Sequence, residues 1–250
     1  LLSPSDWDDA QWICFEEMPN SLRIVPGVHL NGDHLGQRGM QRPLIPLFRR
    51  EFEATDKIES ATLYISGLGH YEVYLNGDRI GKSFLTPGWT HYDKTVLYNT
   101  YDVTGNLKSG RNAIGTIVGN GFLNINRERY RKLTIAYGTP KMICKLVVRF
   151  ADGREESVVS GNDWKTLLSP VQYTSIFGGE NYDARMEQTG WTTPGFDDSC
   201  WMPVTIANKP IGTLKPEQGY PVEVKETIEV KEIIRLSEDK FLYDFGQNAS

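Results

Sequence analysis

Alternation of apolar and polar residues dominates the chain and predicts β-strands. Between residues 142 and 150 every second residue is apolar: Met142, Cys144, Leu146, Val148 and Phe150. Lys145 and Arg149 lie between them, so one face of this strand is expected to be buried and the other partly wet. Similar alternation over 71–75 and 222–230 predicts two further strands.

Turn-forming residues punctuate these strands. Asn76 and Gly77 supply the positive φ angles of a type I′ turn, which predicts a hairpin. Residues 151–153, Ala-Asp-Gly, predict a second hairpin that returns through 154–159. Residues 102–110 predict a short helical turn, capped by Asp102 and left through Gly110.

No long segment shows helical periodicity, and many short strands separated by turns favour an antiparallel arrangement. The predicted fold class is therefore all-β, an antiparallel sandwich. Boundaries are predicted near 50 and 210: an N-terminal β-rich extension over 1–49 that packs on the sandwich, the sandwich over 50–207, and a linker with the first strands of a further β-domain over 208–250. Residues 241–248 read as a strand cut in mid-course, which predicts a longer polypeptide.

Composition fits a soluble globular protein, with 39% hydrophobic and 24% charged residues. A formal net charge of −5 argues against a nucleic-acid partner. The sequence contains no apolar run of about 18 residues, so no membrane-spanning helix is predicted. The three cysteines form no complete disulfide framework, and Cys144 is predicted to be a small core residue. Localisation depends on processing: periplasmic or secreted if a signal peptide was removed, cytoplasmic otherwise.

Three groups of motifs follow one another along the chain. The first contains Leu-Asn-Gly at 75–77, Pro-Gly-Trp-Thr at 87–90, Tyr-Asp-Val-Thr at 101–104 and Gly-Asn-Gly at 119–121. The second is Gly-Glu-Asn-Tyr-Asp-Ala-Arg at 179–185, followed by Gly-Trp at 190–191 and the segment 194–201. The third is Tyr-Asp-Phe-Gly-Gln-Asn at 243–248.

In this order the motifs resemble the N-terminal β-sandwich region of bacterial α-L-rhamnosidases, glycoside hydrolase family 78. The resemblance implies a galactose-binding-like jelly roll, which the Phe-Asp-Asp-Ser-Cys-Trp segment at 196–201 also supports by its similarity to family 2 β-galactosidases. It implies an inverting hydrolase whose acid and base lie in an (α/α)6 barrel of the same polypeptide. No such barrel is found here, so no catalytic residue is assigned to this chain.

The best candidate for carbohydrate contact is the second motif group. It offers carboxylate, amide and aromatic side chains: Glu180, Asn181, Tyr182, Asp183 and Arg185. Carboxylates and amides bridge sugar hydroxyl pairs, and oxygen clusters also suit Ca²⁺. Asp183 is a weak calcium candidate, since some family members bind calcium at a sugar but Ala184 offers no amide ligand; otherwise no cofactor is expected. In the structural alternative, Glu180 and Arg185 form a buried ion pair and Tyr182 lies in the core.

A second candidate is the loop after Pro87 and Gly88. Trp89 and Tyr92 either form a sugar platform, pack against a catalytic barrel, or anchor the loop inside the core. In contrast, the later tryptophans and aspartates are expected to be structural, with rings in the sandwich and carboxylates on turn N–H groups. These are Trp191, Asp197, Asp198 and Trp201.

Three functions therefore compete. The favoured one is the non-catalytic N-terminal portion of an α-L-rhamnosidase acting on terminal α-L-rhamnosyl linkages of plant glycans or glycosides. In it, the chain braces the catalytic barrel and contacts rhamnose-containing carbohydrate. The alternatives are an autonomous carbohydrate-binding module, calcium-assisted or not, and a purely structural interaction module.

Overall fold

The computed structural model describes residues 2–25, 33–40 and 44–247, and its described part is built mainly of strands. The strands are β1 (Ile13–Cys14), β2 (Pro46–Ala54), β3 (Ile58–Leu68), β4 (His70–Leu75), β5 (Asp78–Arg79), β6 (Thr95–Asp102), β7 (Gly110–Gly119), β8 (Asn124–Ile125), β9 (Ile135–Ala136), β10 (Lys141–Phe150), β11 (Glu155–Val159), β12 (Lys165–Leu168), β13 (Val171–Ser175), β14 (Gly179–Tyr182), β15 (Met202–Pro203), β16 (Thr205–Ile206), β17 (Thr213–Pro216), β18 (Glu232–Ser237) and β19 (Lys240–Asp244). Short 3-10 segments lie at Pro4–Trp7, Asn20–Leu22, Asp33–Met40, Thr104–Asn106 and Ala184–Met186.

Two large sheets form the sandwich. The first has the order β16-β1-β10-β3-β6-β17, with β11 also paired to β10, and the second has the order β15-β12-β2-β7-β4-β5. All pairs are antiparallel except β17 with β6, which is parallel. Between the sheets, Leu63 and Cys144 of the first pack in one core with Phe48, Val73 and Ile114 of the second. The all-β antiparallel sandwich predicted from the sequence is confirmed.

The predicted hairpins are present. Asn76 and Gly77 adopt φ angles of 53° and 94° between β4 and β5. Gly153, at φ 88°, lies in the turn between β10 and β11. The predicted helical turn is one 3-10 turn at Thr104–Asn106, where the Asp102 carboxylate accepts the backbone N–H of Thr104 at 3.0 Å. The turn-forming residues therefore predicted the positions of these hairpins and of the helical turn correctly.

The strand predicted over 222–230 is wrong. Only Val222 pairs there, in a single bridge with Phe84, and the rest of the segment carries no strand. Strands resume at Glu232, where β18 and β19 form a two-stranded hairpin whose residues are all exposed. Alternation alone did not make a strand over 222–230 because its ladder hydrogen bonds need a neighbouring strand.

The sheets of the sandwich extend past both of its predicted boundaries. β2 runs across the predicted boundary at 49/50, and β17 adds residues beyond 207 to the first sheet. A second core holds Trp7 and Trp12 together with Tyr92, Tyr98 and Leu123. In the described ranges no helix is long and apolar enough to cross a membrane. Asn248, the last residue of the third motif group, lies outside the described residues.

Candidate functional site

The 180–185 candidate loop begins in β14, which contains Glu180, Asn181 and Tyr182, and continues into the 3-10 turn Ala184–Met186. Asp183 accepts hydrogen bonds from the backbone N–H of Arg185 at 3.1 Å and from its guanidinium at 2.8 and 2.6 Å. The bonds from the Arg185 side chain, then from its backbone, lower the pKa of Asp183 to about 2. Asn181 accepts from Arg129 at 2.6 Å, and the Tyr182 hydroxyl donates to Glu187. Most polar groups of this loop are thus engaged locally.

The structural alternative proposed for this loop is wrong. Arg185 pairs with Asp183 rather than with Glu180, and its side chain is 89% exposed. Tyr182 is 54% exposed and does not lie in the core. In the described part of the chain the Glu180 carboxylate has no hydrogen bond or ion pair. Glu180 therefore offers an unpaired carboxylate to a ligand, and Tyr182 offers an exposed ring.

The surroundings of Asp183 do not fit a calcium site. Both of its carboxylate oxygens accept from the Arg185 guanidinium, which supplies the positive charge that a cation would bring. The neighbouring Ala184 has no side-chain oxygen. Nowhere in residues 2–25, 33–40 and 44–247 do three His, Cys, Asp or Glu side chains form a cluster that could hold a metal ion.

In the second candidate loop, Trp89 is exposed and Tyr92 is buried. Trp89 is 49% exposed and stacks on Phe122, with 4.5 Å between ring centroids and 11° between planes. A cavity of about 590 Å³ lies beside it, lined among others by His91, Asp93 and Tyr137. Tyr92 is only 6% exposed and packs edge-on against Tyr137, and its burial raises its pKa. Including Tyr92 in a sugar platform is therefore a mistake, since its ring anchors the loop.

Glu217, a residue that the sequence did not point to, holds the Trp89 loop in place. One carboxylate oxygen accepts the backbone N–H of Gly88 at 2.8 Å, and the other accepts from Asn99 at 2.7 Å and from Thr86 at 3.3 Å. Glu217 directly follows β17, whose parallel pairing with β6 brings it to this loop. No local pattern could have found this contact, because it joins residues 118 or more positions apart.

The later tryptophans and aspartates have structural roles, but only Asp197 has the predicted contact with a turn N–H group. Trp191 and Trp201 lie outside the hydrophobic cores of the sandwich, where their rings were predicted. Trp201 is 4% exposed and stacks with Trp191 at 5.9 Å. Asp197 accepts the backbone N–H of Ser199 at 3.0 Å, as an aspartate in a turn does. Asp198 forms salt bridges with the buried Arg49 and with Lys165.

The cysteines offer no reactive thiol in the core. Cys14 and Cys144 are fully buried, and burial raises the pKa of each thiol to about 12. Both therefore remain protonated at neutral pH and act as small apolar side chains. Cys200 is free and exposed. The prediction that Cys144 lies in the core is confirmed.

A further open groove, of about 670 Å³, lies on the outer face of the second sheet. The β13–β14 hairpin and the segment at Phe84 and Leu85 border it, and Glu180 stands at its edge. His70 lies half-buried on its floor, and burial lowers the pKa of this histidine while the charge of Glu217 opposes the shift. Of the groove's polar residues, only Glu180 was among the predicted site residues.

Comparison with known proteins identifies the family to which this fold and these loops belong. The chain matches the family model of the α-L-rhamnosidase N-terminal domain over residues 56–226, and it belongs to that family. An α-L-rhamnosidase of Formosa agariphila is 31% identical over 258 residues, which cover 99% of this chain and 26% of that protein. The chain thus spans about a quarter of the length of this relative.

Solved structures with a similar fold are also α-L-rhamnosidases. Native α-L-rhamnosidase from Aspergillus terreus superposes with a TM-score of 0.82 at 34% identity, covering 99% of this chain and 27% of that one. The Streptomyces avermitilis α-L-rhamnosidase, solved in complex with L-rhamnose, gives a TM-score of 0.73 at 34% identity, covering 83% of this chain and 20% of that one. The resemblance inferred from the motifs is confirmed, and the fold is that of a domain within larger rhamnosidases.

Proposed function

We propose that this chain is the N-terminal, non-catalytic β-sandwich portion of an α-L-rhamnosidase. The observation that carries the proposal is the family match over residues 56–226, made by a chain that spans about a quarter of its named relatives. The helical segments of the described residues are 3-10 turns of three to eight residues, which supply none of the long helices of an (α/α)6 barrel. The catalytic acid and base accordingly belong to another part of the polypeptide.

The whole enzyme would remove terminal α-linked L-rhamnose from plant glycans or glycosides, and this portion would brace its barrel. The test compares the purified 250-residue chain with the full-length parent on p-nitrophenyl α-L-rhamnopyranoside. The parent is expected to hydrolyse the substrate, whereas the chain is expected to leave it intact. Rhamnosidase activity in the pure chain would overturn the non-catalytic assignment, and an inactive parent would overturn the enzymatic one.

Carbohydrate contact by this portion is the second proposal, and exposed groups in both candidate loops favour it over a purely structural role. Trp89 presents about half of its surface, and Glu180 carries an unpaired carboxylate. An aromatic face can stack on the apolar side of a pyranose while a carboxylate accepts from its hydroxyls. Calorimetric titration with L-rhamnose, with and without Ca²⁺, tests this contact. Saturable heat supports a binding role, and its absence at millimolar sugar leaves a bracing role alone.

A further inference from the structure

Two hairpin tips meet at one end of the sandwich. The loop 126–134, which joins β8 to β9, lies against the turn of the β13–β14 hairpin. Arg129 of this loop donates to the carbonyl oxygen of Gly178 at 3.1 Å and to Asn181 at 2.6 Å. Its guanidinium also lies over the ring of Tyr173, 4.3 Å from the centroid. The two tips are therefore held in a fixed arrangement, and the surface that they share is formed in advance of any contact.

The centre of this shared surface is apolar. Phe177, at the turn of the β13–β14 hairpin, is 46% exposed, and its ring stacks on that of Tyr130 with 4.4 Å between centroids. Phe122 meets Phe177 edge-on at 6.0 Å. Clustered exposed rings, unlike single ones, mark places where another molecule packs. Aromatic residues and arginine are also the residue types that are enriched where proteins dock.

The rim of the surface is positively charged. Arg131 and Lys132 are exposed, and within the described residues neither forms a hydrogen bond or an ion pair. Arg129 has no carboxylate partner there either, since its donors go to a carbonyl oxygen and an amide. Glu128 is the one acidic residue among 127–132, in a chain whose formal net charge is −5. Cations without ion-pair partners in an acidic chain fit a negatively charged partner.

The length of the relatives indicates which partner this is. The chain spans about a quarter of the length of its named relative, so most of such a polypeptide lies outside it. A partner on the same polypeptide is present at high effective concentration, so a partly polar contact of modest area can hold it. The surface is also separate from the groove described above, since neither Phe177 nor any residue of 127–132 lines that groove.

We propose that Phe177, Tyr130, Arg131 and Lys132 form a docking surface through which this sandwich braces the remaining polypeptide of the enzyme. The partner is expected to present an apolar patch with carboxylates at its rim, which would cover the two rings and pair with the two cations. The inference rests on the proposed function and deepens it, because it assigns the bracing contact to particular residues.

Hydrogen exchange tests whether the docking surface is covered. The backbone amides of 127–132 and 176–178 are expected to exchange at least about tenfold more slowly in the full-length parent than in the 250-residue chain. Equal exchange rates in the two proteins would overturn the inference. Protection that appears in the 250-residue chain on addition of polygalacturonate, without slower exchange in the parent, would assign the surface to an anionic glycan and would also overturn it.

Arg131→Glu combined with Lys132→Glu tests the charged rim. In the parent this double variant is expected to lower the thermal midpoint by at least about 3 °C at low salt, and by less at about 0.5 M salt, which screens the contact. In the 250-residue chain the midpoint is expected to stay within about 1 °C of wild type, because both side chains are exposed and unpaired.

The matched control reverses two other exposed cations, Lys57→Glu with Lys108→Glu. Lys108 precedes β7 and Lys57 follows β2, whose last residue pairs with the first of β7, so both lie at the end of this sheet away from the docking surface. The control is expected to leave both midpoints unchanged. Equal losses from the two double variants in the parent would overturn the inference. An inactive wild-type parent would overturn the enzymatic assignment without altering the exchange rates, so the two failures are distinguishable.

Discussion

Among single residues, Arg49 shows how the second sheet holds its outer loop. Its side chain is 1% exposed, and it donates to the backbone carbonyl oxygens of Trp191 and Thr193 at 2.9 and 3.1 Å. Glu51 at 2.7 Å and Asp198 balance its charge. A buried guanidinium is tolerated only when its donors and its charge are both matched. Arg49 therefore fixes the loop from 191 to 198 to β2, together with Glu51, which accepts the backbone N–H of Gly195 at 2.7 Å.

Asp198→Asn is expected to lower the free energy of unfolding by about 2 kcal/mol, because it removes one charge partner of a buried arginine. Urea unfolding followed by circular dichroism measures the change. The control is Asp152→Asn, whose partner Arg154 is 49% exposed, and no measurable effect is expected there. Equal effects of the two substitutions would show that the burial of Arg49 does not make its pairing important.

The effect of Asp198 also has a defined pH dependence. Burial by itself would raise the pKa of Asp198, but hydrogen bonds from Lys165 and Arg49 outweigh it and leave the pKa below its ordinary value of 3.8. A carboxyl whose pKa is lower in the folded state stabilises the fold above its unfolded pKa. The difference between wild type and Asp198→Asn should thus be full above about pH 4 and shrink as pH falls further.

Residue roles were predictable from sequence only where the chemistry is local. Asp197 and the Asn76–Gly77 pair were predicted correctly, because each acts on backbone within two or three positions. The environments of Tyr92 and Tyr182 depend on which side of a loop packs on the core, which residue type does not encode. The sequence therefore left both open, and the structure buries Tyr92 and exposes Tyr182.

At the scale of elements, hairpins were predictable and long-range pairings were not. β10 and β11 are joined by the four residues 151–154, so the two paired strands are close neighbours in the sequence. β17 pairs in parallel with β6, more than 100 positions earlier, and no local signal marks this partner. The alternating segment 222–230 shows the converse, a strand-like pattern without a neighbouring strand. Pairing, more than pattern, decides which alternating segments become strands.

β7 supplies a direct test of how closely an outer loop packs on its sheet. A Cβ atom at Gly115 would lie 2.6 Å from the ring of Trp191, closer than real contacts allow. Gly115→Ala is therefore expected to push Trp191 outward and to lower the free energy of unfolding by about 2 kcal/mol, as overpacking does. Denaturant unfolding gives the energy, and a red shift in tryptophan emission reports the displaced ring.

Gly119 in the same strand is the matched control. A Cβ atom there would first meet Thr174 at 3.6 Å, an ordinary van der Waals distance. Gly119→Ala is expected to keep the stability within about 1 kcal/mol of wild type. If Gly119→Ala proved as damaging as Gly115→Ala, backbone flexibility rather than contact with Trp191 would explain both.

For the whole molecule, the candidate sites are products of topology. The Trp89 loop needs Glu217, which reaches it only through the parallel strand β17. The groove needs β4, β7 and the β13–β14 hairpin side by side, which join residues from 70 to 180. Sequence motifs marked the family and one edge of the groove, Glu180, but the floor residues His70 and Glu72 looked like ordinary strand positions.

The same topology shows which residues the sandwich needs. β17 and Glu217 are tied to β6 and to the Trp89 loop, whereas every residue of the β18–β19 hairpin is exposed. The family match also ends at 226, beyond β17 and before the hairpin. The cooperative unit is therefore expected to end between Glu217 and residue 226, later than the boundary near 210 that its prolines and glycines suggested.

Two truncations test this boundary. Ending the chain after Glu226 removes only exposed strands, so the thermal midpoint is expected to stay within about 2 °C of the full chain. Ending it after Asn208 removes the four residue pairs of β17 and the Glu217 hydrogen bonds, and the midpoint is expected to fall by at least about 5 °C. Differential scanning calorimetry measures both. Equal midpoints for the two truncated chains would mean that β17 pairs with the sheet without stabilising it. The C-terminal boundary of the cooperative unit would then lie in the linker near 210.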